Sequence, residues 1–114
     1  MAQVVAFIPD LLFGSNVVGA LQAGGHEPVL VGAAEEVAGA ASGADVLVVD
    51  LTADVEPRLE VVRPLLGGDL RSLGFFSHVE TDVRAAAEEA GFDLVVPRSR
   101  MARAGADLVT QLAG

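Results

Sequence analysis

The stretch ADVLVVDLTAD, residues 44–54, decides how this chain is read. Between Asp45 and Asp50 every residue is apolar, and the turn-like segment LTAD follows at once. A strand with one wet face alternates apolar and polar residues. A run with no alternation fits a strand buried on both faces of a parallel sheet. Working outward, the same kind of run recurs four times: QVVAFI (3–8), EPVLVG (27–32), RSLGFF (71–76) and DLVVP (93–97). Helix-like stretches separate the runs, so the chain reads as an α/β domain with βαβ crossovers over residues 1–114.

The first helix is expected over about 11–24, with Phe13, Val17, Ala20 and Leu21 on one face. Asp10 suits its N-cap and Gly24-Gly25 its end. Gly14 and Gly19 fall inside it, each costing up to about 1 kcal/mol relative to Ala. AAEEVAGAAS predicts a short, Ala-rich second helix. In the third segment Pro57 fits a first turn, and Pro64 should end or kink the helix. VETDVRAAAEEAG predicts a fourth, with Val79, Val83, Ala86, Ala87 and Ala90 inward and Gly91 stopping it. The last is expected from about 100 or 104 to 113, using Met101, Leu108, Val109 and Leu112.

With 114 residues, 52% of them hydrophobic, there is material for one core and no room for a second domain. No apolar run approaches the roughly 18 residues a membrane span needs. The first apolar run lacks a preceding basic segment, which argues against a secretory signal. Cys is absent, excluding disulfides, thiolate catalysis and Cys-based metal sites together. A cytoplasmic protein is the expectation. Seven basic residues against sixteen acidic ones give a net charge of −9, which repels phosphate backbones and anionic membranes alike. Against that background Arg98, Arg100 and Arg103 form a local reversal of sign, and the chain contains no Lys.

In an open parallel sheet, reactive groups gather beyond the carboxyl ends of the strands. Here those positions are Pro9 and Asp10, Asp50, Ser77 and His78, and Pro97 to Arg100. With the strand order 2-1-3-4-5 all four groups converge on one crevice. Each has a plain structural explanation as well. Asp50 can cap its own turn, Asp10 can cap a helix, and Ser77 stands where a hydroxyl usually caps. Glu80 and Asp82 complement a helix dipole without further function. On an extended backbone His78 points away from Ser77, so a nucleophilic pair is disfavoured. His26 starts the second strand, away from the crevice, and two separated His with scattered carboxylates make no metal site. The turn after the first strand, IPDLLFGSNVVG, has neither G-x-G-x-x-G nor G-x-x-x-x-G-K-[ST], so no phosphate cradle is expected.

Together these segments resemble the receiver domain of bacterial response regulators. VVAFIPDLLFGSNVVGALQAGGHEPVLVG is similar to that family's first strand, first helix and the glycine before strand two. ADVLVVDLTAD resembles its third strand, which places the phosphoacceptor aspartate at Asp50. LGFFSHVETDVRAAAEEAGFDLVV resembles the fourth strand, its switch hydroxyl (Ser77) and the following helix. The fold implied is a flavodoxin-like three-layer sandwich, with a five-stranded parallel sheet of order 2-1-3-4-5 and about five helices. The resemblance also implies an acidic pair that helps hold magnesium, and a lysine after strand five. Ile8 and Pro9 fall at the acidic positions, and Pro97 or Arg98 at the lysine. Magnesium affinity should therefore be poor, and no cofactor is expected.

The leading expectation is a stand-alone, non-enzymatic regulatory module of the pseudo-receiver kind, acting through protein partners. The implied binding face is built from the fourth helix, fifth strand and fifth helix. On it Arg100 and Arg103 stand beside Glu80 and Glu88, a pattern compatible with a homodimer. The alternative is a small-ligand or anion binder using Arg98, Ser99 and Arg100. A third is a small hydrolase built on Asp50, Ser77 and His78.

Overall fold

Val46–Asp50, the uninterrupted run, forms the central strand β3 of a five-stranded parallel sheet. The computed structural model describes residues 2–77 and 81–114. β1 is Gln3–Phe7, β2 Glu27–Val31, β4 Arg71–Phe76 and β5 Leu94–Pro97. The sheet order is β2-β1-β3-β4-β5, as expected. Register pairs Phe7 with Val49, Asp50 with Phe75, and Phe76 with Pro97, so the four strand ends named above finish at one edge.

Period-two alternation divides the strand residues between two cores, one on each face. Val4, Ala6, Ile8, Val46, Val48, Leu73, Phe75 and Val96 face helices α1 (Leu11–Ala23) and α5 (Arg98–Ala113). Val5, Phe7, Leu47, Val49, Phe76 and Val95 face α2 (Val37–Ala41), α3 (Val55–Val62) and α4 (Thr81–Ala90). The result is the three-layer sandwich. A sheet covered on both sides removes the need for polar alternation, which is why β3 is buried at all five positions.

The helices follow the local chemistry. The Asp10 side chain accepts from Phe13 N at 3.1 Å, capping α1, and Gly25 at φ +89° takes the chain out of it. Gly14 has a packing reason for lacking a side chain, since a Cβ there would come 2.8 Å from Leu30 Cδ1. The second segment forms a 3₁₀ turn, Ala34–Glu36, leading into the five-residue α2. Pro57 lies in the first turn of α3, and the 3₁₀ turn Arg63–Leu65 around Pro64 ends it. Val79, expected to start the inward face of α4, lies outside the described residues; Val83 and Ala87 are buried on that face. α5 begins directly after Pro97, earlier than its apolar spacing suggests, and is broken at Ala104 (φ −134°, ψ 18°). Among the described residues no helix is long and apolar enough to cross a membrane.

Candidate functional site

Asp50 is the last residue of β3, and its side chain is only 5% exposed. A carboxylate so buried needs donors, and the chain supplies them from the next ten residues. The backbone N–H of Thr52 donates to Asp50 Oδ1 at 2.8 Å, and the Thr52 hydroxyl donates to the same oxygen. This is an Asx-type turn, the capping role anticipated for Asp50. Oδ2 instead faces Arg58, whose Nη1 lies 3.5 Å away. The same Nη1 donates to the Asp50 carbonyl oxygen at 2.9 Å, and Nη2 is 3.7 Å from Asp54 Oδ2.

Local backbone geometry aims Arg58 inward. Asp54 adopts the left-handed conformation (φ 49°) tolerated by Asp, turning the chain sharply into α3. Arg58 follows one turn later, donating its N–H to the Asp54 carbonyl. Its side chain is 12% exposed. A basic residue near a helix start opposes the dipole, and here the two aspartates beside it provide the compensation. That unfavourable placement is the sequence signal by which Arg58 could have been singled out.

The other crevice positions divide. Ile8, at the first acidic position implied by the resemblance, is fully buried in the same core as Phe13 and Phe75. Pro9 is half-buried. Asp10, besides capping α1, lies 3.8 Å from Arg98 Nη2, and the Arg98 guanidinium stacks 4.2 Å above the Phe13 ring. Arg98 is thus engaged with α1, and Pro97 occupies the end of β5 itself. Ser77 follows β4 and is half-buried. His78 and Glu80 lie outside the described residues. Ser99, Arg100 and Arg103 are exposed, and Glu88 is paired within its own helix with Arg84 at 3.5 Å.

A second polar cluster lies at the opposite, amino end of the sheet. His26 is buried, and its Nδ1 accepts the Ala2 N–H at 3.1 Å. Nε2 must then carry the proton, which it shares between the Thr110 hydroxyl at 2.9 Å and the Ala106 carbonyl at 3.2 Å. His26 ties the starts of β1 and β2 to α5, which is a structural duty.

Chemically, the crevice offers a carboxylate already met by a guanidinium and a hydroxyl. Among the described residues no group of three or more His, Asp or Glu is arranged to hold a metal ion.

No family model matches the chain, and no curated protein matches it in sequence. Solved structures do share its fold. A response regulator receiver protein from Burkholderia phymatum is similar over 100% of this chain and 96% of its own (TM-score 0.85, 20% identity). A response regulator from Thermotoga maritima is similar over 97% and 96% (TM-score 0.84, 16% identity). A putative pilus assembly protein from Burkholderia thailandensis is similar over 99% and 98% (TM-score 0.82, 18% identity). The chain therefore has the fold of receiver domains along its whole length.

Proposed function

We propose that this protein is a receiver-like regulatory module that acts by protein–protein contact, with a phosphorylation site that no longer performs phosphoryl chemistry. The observation that carries this reading is the double engagement of Asp50. Thr52 holds one carboxylate oxygen, and Arg58 stands at the other. A hard divalent cation wants about six oxygen ligands in near-octahedral array. Here a guanidinium stands beside the carboxylate such an ion would use, Ile8 and Pro9 bring no oxygen side chain, and the chain has no lysine to meet a phosphoryl group. A catalytic role is not part of this reading, and a bacterial, cytoplasmic setting is. The partner is assigned to the face of α4, β5 and α5, where Arg100, Arg103 and Glu88 are exposed.

Intact mass after incubation with acetyl phosphate and magnesium tests this. Wild type is expected to stay unmodified. An adduct of one phosphoryl group, present in wild type and missing in Asp50→Asn, would overturn the proposal.

A further inference from the structure

Three oxygen atoms from two residues converge on the Arg58 guanidinium: the Asp50 main-chain oxygen at 2.9 Å, Asp50 Oδ2 at 3.5 Å and Asp54 Oδ2 at 3.7 Å. An ordinary helix start would use these groups otherwise. Asp54 stands at the N-cap of α3, yet its side chain makes no capping hydrogen bond and faces Arg58 instead. Among the described residues it is the one non-glycine with a positive φ (49°), a sparsely populated backbone conformation. Arg58 in turn lies near the start of α3, where the helix dipole disfavours a cation. A missing cap, an unusual backbone and a misplaced charge are three separate costs, and the guanidinium is what they have in common.

Carboxylate and main-chain carbonyl oxygens around one positive centre are the donors that a hard divalent ion takes. We infer that Arg58 is a tethered cation: its guanidinium stands, from within the chain, where such an ion would sit at the end of β3, and it closes that corner to metal ions. The inference rests on the proposed reading of Asp50 as a site without phosphoryl chemistry, and it traces that state to one side chain. Withdrawing the guanidinium would leave two carboxylates and a carbonyl at one corner with no positive charge among them. Asp50, with a side chain only 5% exposed, is too buried for water alone to meet. Calcium suits this set better than magnesium. Its flexible shell takes such oxygens at about 2.3–2.6 Å and is completed by water, whereas magnesium demands a near-ideal octahedron. Two carboxylates are few for a calcium site, so a Kd of about 10⁻³ M is expected once Arg58 is gone, at the weak end of the range for protein sites.

Titration calorimetry of the whole chain with Ca²⁺, paired with urea unfolding without Ca²⁺ and at about 10 mM, reads this directly, because an ion that binds only the folded chain raises its midpoint. Wild type is expected to show no saturable binding and no shift. Arg58→Ala should bind one Ca²⁺ per chain, at least about tenfold more tightly than wild type, and regain part of its lost midpoint as Ca²⁺ is added. Combining Asp50→Asn with Arg58→Ala should abolish both responses. If Arg58→Ala stays unfolded throughout, Arg58→Gln carries the same expectations. A folded Arg58 variant that takes up no Ca²⁺ would overturn the inference and reduce the guanidinium to a brace between β3 and α3. A Ca²⁺ response that survives the loss of Asp50, or wild type binding as tightly as the variants, would overturn it equally. The acetyl phosphate experiment on wild type decides the underlying reading separately, since none of these outcomes involves a phosphoryl group.

Discussion

Arg58 Nη1 stands 2.9 Å from the main-chain oxygen of Asp50 and 3.5 Å from its carboxylate Oδ2. One side chain, eight residues downstream, thus meets both the backbone and the side chain of the residue that ends the central strand. Planar and always charged, a guanidinium can present several donors in a fixed fork; an ammonium is a point charge.

A double-mutant cycle of Asp50→Asn and Arg58→Gln measures that contact. Each single change leaves a partly unpaired polar group in a nearly dry site, and each is expected to cost about 2–4 kcal/mol. The double variant should recover part of the loss, with a coupling of about 1–3 kcal/mol. Urea unfolding reads all four corners, and additive losses would mean the pair is incidental.

Placing an acid at the first position after β1 should fail on packing grounds. Ile8 is fully buried among aliphatic and aromatic side chains. Ile8→Asp is expected to lose at least about 3 kcal/mol, because an unpaired carboxylate there has no donor. Pro9→Asp, at a half-buried position, should stay within about 1 kcal/mol of wild type. Comparing the two midpoints in one denaturant series checks this.

His26→Ala removes a ring that accepts one hydrogen bond and donates another between three elements. The Ala2 N–H then loses its side-chain acceptor, and a void opens beneath α5. A loss of about 2–3 kcal/mol is expected. Calorimetry would show it as a lowered Tm, with the far-UV spectrum retained.

Arg98→Ala should matter much less. Its ion pair with Asp10 is about half exposed on both sides, and its stacking on Phe13 is a surface contact. Exposed pairs and cation–π contacts of this kind contribute about 1 kcal/mol or less. Asp10→Ala should cost about the same again through loss of the α1 cap, a difference that paired melts of the two variants resolve.

All five strands were legible because a doubly covered sheet leaves its mark at every position, as VLVV does in β3. The caps Asp10 and Gly25 were legible because each obeys a local rule. Strand order, by contrast, came from the resemblance, since period and composition are nearly alike in the five runs. The contact of Arg58 with Asp50 was hidden because it spans eight residues, beyond the i,i+4 spacing that links Arg58 to Asp54, and because it depends on the left-handed Asp54. His26 looked isolated because its ligands are the backbone of Ala2 and groups some eighty residues distant. The start of α5 was displaced by its own sequence, where Arg98, Ser99 and Arg100 offer no apolar residue before Met101.

The break at Ala104 makes α5 two levers on one shaft. The outer lever carries Arg98, Arg100 and Arg103 and leans on Phe13; the inner one is pinned by His26 through Ala106 and Thr110. Opening of the outer turns need not pass to the inner ones, since the helical backbone conformation is already broken between them at Ala104. Amide exchange should then report two protection levels along this helix, with the step falling at Ala104.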